Sequence, residues 1–457
     1  MFARRALASL VVPLLVVVGC RAEPVADGPA ADAPVVRPDW AAGVVEPPGG
    51  APGRLLVRDA VACGGRWYAV GAVAAADGGT RPAFWASDDG RSWRARAVRA
   101  ESFYGARNVL YAVGCRDPRV AALGAKSGGA HGNPRVSAWR QAADGALVEV
   151  PAEFETFGGP EAVAVARVAG GPGGWLIAGG RVSGAAVWTS PDAGEFTLRS
   201  GVAQLAGDAR GRTAGLDAVA ASDGWVVVGW LLPPGGTAFV PEVWTSSDGR
   251  SWRRSTLPDR LSGVERDGST SAVGDPASAG GSTRGGSAST GGSAPGGSAP
   301  GGSTPGGSAP GGSTPGGSAP GGSTPGGSAE RVVSVAGEPV VVGAVGQGFV
   351  LWRRVAGRWR VAGGFAGAAG GAGVRSVDGL AADGAGLAVA VGVGAERSLW
   401  WSGDGGGSWG EVALPVEVPG GGDHPVTVTV GGGRLVVFVD DGRSSGVWSV
   451  RTADLVR

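Results

Sequence analysis

Four short stretches set a serine, an aspartate and a glycine between bulky aromatic residues: "WASDDGRSW" (85–93), "WTSPDAGEF" (188–196), "WTSSDGRSW" (244–252) and "WWSGDGGGSW" (400–409). Residues of these types could serve a catalytic group, a calcium loop or a self-capped turn. Triad catalysis would need a histidine with Ser and Asp partners. The chain has two histidines, His131 in "GAHGNP" and His424 in "GGDHPV", both in loop-like segments where no such partners are recognisable. Calcium would need more clustered carboxylates than any one stretch offers, and two isolated histidines make no other metal cluster. The turn needs only what is present. Short Ser and Asp side chains accept bonds from nearby backbone amides, and Gly supplies a positive φ. The stretches therefore read as scaffold, with no catalytic or metal-ligating residue assigned and no cofactor expected.

A second chemistry open to the chain is glycoside cleavage, which needs two acids about 5–10 Å apart in one cleft. Asp217, Glu242, Asp378 and Glu396 fall on strand-connecting segments, but nothing in their spacing pairs any two, so they read as solvated loop carboxylates.

The elements that hold these residues repeat. Short β-branched runs bounded by Gly recur as "WYAVGAV" (67–73), "WLIAGG" (175–180), "WVVVGW" (225–230), "PVVVGAV" (339–345), "LAVAVGV" (387–393) and "LVVFVD" (435–440), as expected of half-buried strands. A following strand carries Trp85, Trp139, Trp188, Trp244, Trp352, Trp400 or Trp448, at gaps of 54, 49, 56, 108, 48 and 48 residues. The double-length gap contains a Gly-Gly-Ser-(Ala/Thr)-Pro tract, which has no apolar face to bury and is expected to be disordered. Seven units of this size predict an all-β, seven-bladed β-propeller of four-stranded antiparallel blades. The domains expected are a signal segment at 1–19, a flexible tether at 20–54, blades 1–4 at 55–262, the insert at 263–329 and blades 5–7 at 330–457. A ring interrupted by a long loop is tolerable because closure entropy grows only logarithmically with loop length.

The aromatic-flanked stretches resemble the Asp-box, or bacterial neuraminidase repeat, Ser-x-Asp-x-Gly-x-x-Trp. Ser402, Asp404, Gly406 and Trp409 match in full. Ser87, Asp89, Gly90 and Trp93, and Ser246, Asp248, Gly249 and Trp252, are one residue shorter between Asp and Gly. Ser190, Asp192, Gly194 and Phe196 replace the Trp with Phe. The resemblance implies a sialidase-like propeller in which the boxes lie on the face opposite any active site. It does not extend to the chemistry. Sialidases carry a Phe/Tyr-Arg-Ile/Leu-Pro segment and a late Tyr–Glu nucleophile pair, whereas Tyr68, Tyr104 and Tyr111 all lie early here.

The start of the chain resembles a bacterial lipoprotein signal. Arg4 and Arg5 precede an apolar stretch from Ala6 to Val18, too short for a comfortable span, and then Gly19-Cys20. The resemblance implies lipidation of Cys20 and export to the outer side of the bacterial cell membrane. Cys63 in "AVACGG" and Cys115 in "YAVGCRD" end the first strands of adjacent blades, and an exported pair so placed is expected to form a disulfide.

Charge is balanced, with 40 basic and 39 acidic residues, so nothing suggests a nucleic-acid partner. The function expected is a monomeric, lipid-anchored extracellular module. It would bind a glycan or protein through the loops of the face away from the boxes, where Trp230, Phe84, Tyr104 and Arg81 are candidates. The alternative is a glycoside hydrolase with two cleft carboxylates.

Overall fold

The structure, a computed structural model, describes residues 34–128, 134–259, 326–367, 373–418 and 426–455. The signal segment, Cys20, His131, His424 and all but the end of the insert lie outside the described residues.

Seven sheets form the described part, each built on an antiparallel meander of three or four consecutive strands. The innermost strands are Arg54–Cys63, Val109–Arg116, Ala162–Gly171, Arg212–Ala221, Gly327–Val335, Arg375–Asp383 and Val426–Gly431. They surround a central channel, and each blade continues outward through a second, third and fourth strand. The second strands are buried on both faces because each blade is sandwiched between two neighbours. Gly386–Val393 and Gly174–Arg181 have no exposed position at all. This explains why the β-branched runs are continuous rather than alternating. The apolar clusters accordingly cross from blade to blade: Leu55, Trp67 and Trp85 of blade 1 pack with Val436, Phe438 and Val447 of blade 7. The predicted seven-bladed propeller is the observed fold.

A glycine in the second strand answers a repeated irregularity in the first. Six of the seven first strands contain a β-bulge against the second strand, for example between Val57 and Asp59 and between Gly215 and Asp217. A Cβ at Gly71, Gly229 or Gly343 would fall on the carbonyl oxygen of Leu56, Ala214 or Ser328 in the bulged strand. Only glycine fits beside such a bulge. The same bulges turn polar side chains into the channel.

The third-strand tryptophans fix the crossovers between blades. Trp85, Trp188, Trp244 and Trp352 are fully buried, and their indole N–H groups donate to the carbonyls of Glu46, Thr156, Gln204 and Pro258 at 2.6–2.8 Å. Each acceptor lies in the segment that leads into that tryptophan's own blade. One large apolar side chain thus fills the sheet and ties its incoming chain.

The expected tether is corrected by the structure. Ala41–Ala42 pairs with Ser449 and Trp448 as the outermost strand of blade 7. Val36 bridges Val412 of blade 6, and the Trp40 indole donates to the Ala413 carbonyl at 2.9 Å. Val44–Val45 then runs parallel to Ser92 and Trp93 at the edge of blade 1. The part of 20–54 from Pro34 onward is therefore a latch that closes the ring across three blades. Blades 1 and 2 have five strands, the second gaining Val98–Arg99 beside Leu147 and Val148. The end of the expected insert is also structural: blade 5 begins at Gly327, whose N–H donates to Phe239 of blade 4 at 2.7 Å.

Candidate functional site

The first strands of all seven blades enclose a cavity of about 460 Å³. Its wall carries a girdle of charge from the bulged segments, part of it paired with side chains outside the lining. Arg167 of blade 3 reaches across blade 2 to pair with Asp59 of blade 1 at 2.7 Å. Asp378 pairs with Arg397 at 2.8 Å, and Asp440 of blade 7 accepts from Arg54 and Arg58 of blade 1 at 2.6 and 3.1 Å. The carboxylates also reach sideways to the next blade. Asp59 accepts the Val113 N–H at 2.8 Å, Asp217 the Val332 N–H at 3.1 Å and Glu330 the Val377 N–H at 2.6 Å. Each therefore satisfies a backbone donor of the neighbouring blade, a group that would be costly if buried unmade.

Burial dominates this girdle electrostatically. It pushes Asp217 above the ordinary carboxylate range, against the pull of Arg167 and Arg331. Glu330 is raised for the same reason, against the Val377 N–H. Arg331 is lowered by burial and by the like charge of Arg167. Of the four carboxylates named from sequence, the structure brings Asp217 and Asp378 into the same channel. It places Glu242 elsewhere, buried within blade 4 against Arg254 at 3.0 Å and Thr256 at 2.7 Å. Glu396 is exposed on a third strand. The reading of all four as solvated loop groups fails for Asp217, Glu242 and Asp378. Their neighbours in sequence look like strand, and burial of a charge is decided by partners far away in the chain.

The Ser-Asp-Gly stretches form turns between third and fourth strands. In blade 1 the Ser87 hydroxyl accepts the Gly90 N–H at 2.9 Å, and Asp89 accepts those of Arg91 and Ser92 at 2.8 and 2.7 Å. Blade 4 repeats this with Ser246 and Gly249 at 2.8 Å, and with Asp248 accepting from Arg250 and Ser251 at 2.7 and 2.8 Å. In blade 6 Ser402 accepts from Gly406 at 2.7 Å, and Asp404 from the Ser408 N–H and hydroxyl at 3.0 and 2.6 Å. Partial burial pushes Asp89 up, but the Ser92 and Arg91 N–H groups bring it down to about 2. The Ser251 and Arg250 N–H groups bring Asp248 to about 2. Asp404 reaches about 2 against the upward push of its burial, through the Ser408 hydroxyl and N–H. Each turn leans on the preceding blade. Gly90 faces Val436, Gly249 faces Thr189, Gly406 faces Leu351, and the Trp93 ring meets Phe438 edge-on at 4.8 Å.

The turn of blade 3 is different. Ser190 Oγ is buried without a hydrogen-bond partner, and the left-handed position falls on Ala193 (φ 62°), one residue before the Gly194 expected from sequence. Only the Gly194 N–H to Asp192, at 2.8 Å, remains of the capping set. Close by, Cys63 and Cys115 are bonded to each other with their Cα atoms 5.6 Å apart, joining the first strands of blades 1 and 2 at their channel ends.

The opposite face, where the chain passes from blade to blade, carries the most exposed aromatic side chains of the described residues. Phe103, Phe154 and Tyr104 are 65%, 57% and 38% exposed. Arg107 lies 3.8 Å over the Phe103 ring, and Arg135 lies 4.3 Å over Phe154 and 5.6 Å over Tyr104. The loop is held from beneath by buried Glu149. It accepts the Glu101 and Ser102 N–H groups at 2.8 Å and the Ser102 and Ser137 hydroxyls at 2.7 and 2.8 Å. A Cβ at Gly105 would strike this carboxylate. Of the contact residues named from sequence for this face, Tyr104 belongs to the patch. Phe84 is instead fully buried, Arg81 is tied to the Ala51 carbonyl at 2.6 Å, and Trp230 packs on Phe239 at 4.7 Å. Phe103, Phe154 and Arg135 were missed. The cue available was "SFYGAR", two adjacent aromatics beside a glycine in a linking segment.

No protein-family model matches the chain, and no curated protein matches it in sequence. Among solved structures it is similar to a puromycin hydrolase at 13% identity, covering 88% of this chain and 52% of that one with a TM-score of 0.43. It is also similar to a Hadza microbial sialidase at 10% identity, covering 88% and 66% with a TM-score of 0.40. The β-propeller domain of the Trilobed protease from Pyrococcus furiosus is similar at 8% identity, covering 88% and 96% with a TM-score of 0.41. The chain thus spans about half the length of the hydrolase and two thirds of the sialidase.

Proposed function

We propose that this propeller is an exported, lipid-anchored binding module that holds a glycan or protein partner on the face away from the Ser-Asp-Gly turns. The observation that carries the reading is the aromatic patch of Phe103, Tyr104 and Phe154. Its rings are exposed, two guanidiniums lie against them, and buried Glu149 fixes the loop beneath. Exposed aromatics with adjacent arginines are what binding sites concentrate, and a loop already fixed loses little entropy on association.

Catalysis in the channel is less well supported. Asp217 commits both oxygens to backbone N–H groups, of Ala218 at 2.8 Å and Val332 at 3.1 Å, and Asp378 is paired with Arg397. Anchoring through Cys20 rests on the sequence, and mass spectrometry of the mature N-terminus tests it.

The binding reading is tested by Phe103→Ala combined with Phe154→Ala. Saturable binding to a glycan panel or to intact cell surfaces should be lost while the melting temperature stays within a few degrees. Binding unchanged in that variant would overturn the patch. Turnover of fluorogenic glycosides, abolished by Asp217→Asn or Asp378→Asn, would replace binding with hydrolysis.

A further inference from the structure

On the face of the Ser-Asp-Gly turns, a pocket of about 300 Å³ lies between blades 2 and 3. Its charged lining is Arg116, Arg119 and Arg140 against Asp117 and Asp192, with Trp175 as the aromatic wall. Arg116 is held in place by the Pro191 carbonyl at 2.6 Å. The guanidiniums of Arg119 and Arg140, both exposed residues, have no hydrogen-bond or ion-pair partner among the described residues. Arg140 pairs in register with Ala121, two residues beyond Arg119, so both side chains leave the same face of blade 2.

Some other arginines of this turn face are paired, whereas the guanidiniums of Arg91, Arg250 and Arg358 stand free among the described residues as well. Arg66 bonds Asp88, Arg354 bonds Asp223 at 2.6 Å, and Arg451 bonds Asp454 at 2.9 Å. The pocket also abuts the one Ser-Asp-Gly turn that departs from its repeat. That turn has Pro191 as the anchor for Arg116, Ala193 in a left-handed conformation and a serine without a partner. Departures from a fold's own pattern concentrate at functional sites.

We infer that this pocket binds an oxyanion of the phosphate or sulfate type, held between the Arg119 and Arg140 guanidiniums. Two planar forks on one sheet face, both lining the pocket, suit an anion with several acceptor oxygens. The site is separate from the aromatic patch and stands whether or not that patch binds a partner. A phosphate could come from a soluble ligand or from a lipid headgroup. The latch bears on the second source: Val36 runs parallel to Val412, just after the blade 6 turn, so Pro34 and Val35 lie on the side of this face.

The test compares the mature chain with Arg119→Gln/Arg140→Gln, and with Arg91→Gln/Arg250→Gln as a same-face control. Calorimetric titration with inorganic phosphate and sulfate at fixed ionic strength is paired with co-sedimentation on phosphatidylcholine vesicles, with and without phosphatidylglycerol. The expected result is saturable binding, weakened roughly tenfold or more in the first variant and unchanged in the control. Binding of inorganic phosphate alone would assign a soluble ligand, and selective capture by anionic vesicles would assign a headgroup. No saturable binding in either arm, or equal binding by wild type and Arg119→Gln/Arg140→Gln, would overturn the site.

Discussion

Carboxylates serve two regions of this ring in the same way and end with opposite acidities. In the turns, Asp89, Asp248 and Asp404 accept backbone N–H groups and are held down to about 2. In the channel, Asp217 and Glu330 also accept backbone N–H groups, yet burial raises both. The donors are alike; access to water decides the sign. The comparison teaches that a cleft carboxylate with a raised pKa need not be a catalytic acid. Here it is also what results when a strand bulge is sealed by the blade beside it.

The comparison breaks most easily at Arg167. Arg167→Met leaves Asp59 without its guanidinium and Asp217 with Arg331 as its remaining compensating charge, and should cost about 3–5 kcal/mol in denaturant unfolding. A loss below about 1 kcal/mol would mean that water already screens the girdle. Asp404→Ala removes two caps from one turn and should cost about 1–2 kcal/mol, with the channel unaffected.

Acid titration sharpens the contrast. Asp89 and Asp404 are depressed when folded, so their contribution is complete above the ordinary aspartate value of about 3.9. It is lost as pH falls toward about 2. Asp217 is raised, so its contribution is complete below that ordinary value and is lost as pH rises through the folded value. Unfolding free energies of wild type minus Asp404→Asn should therefore shrink on acidification, while wild type minus Asp217→Asn should grow. The same direction for both variants would refute the assignment. The smallest effect belongs to the aberrant turn: Ser190→Ala should change stability by less than about 0.5 kcal/mol, whereas Ser87→Ala should cost about 1 kcal/mol.

The blade count, the strand-turn-strand repeat and the capped turns were legible because their signals are local. Trp85 through Trp448 mark third strands at a near-constant spacing, and Ser, Asp and Gly act within four residues of one another. The adjacency of Cys63 and Cys115 could be read because equivalent positions in neighbouring repeats must be close. The latch could not be read. Ala41–Ala42 and Val44–Val45 are two-residue strands, too short for an alternating pattern, and one of their partners lies some four hundred residues away. The girdle was hidden for a different reason. A single bulge decides whether Asp59, Arg167 or Asp217 points into the channel or into a neighbour, and the glycine that signals it sits on the other strand. The aromatic patch escaped because its anchor, Glu149, is more than forty residues from the loop it holds.

The latch also imposes an order of events on biosynthesis. Residues 36–42 leave the ribosome some 370 residues or more before their partners Val412, Trp448 and Ser449. Until then the emerging blades expose an open edge, the kind of surface that recruits a wrong strand. That segment must therefore wait, unpaired, while the blades between it and its partners are made.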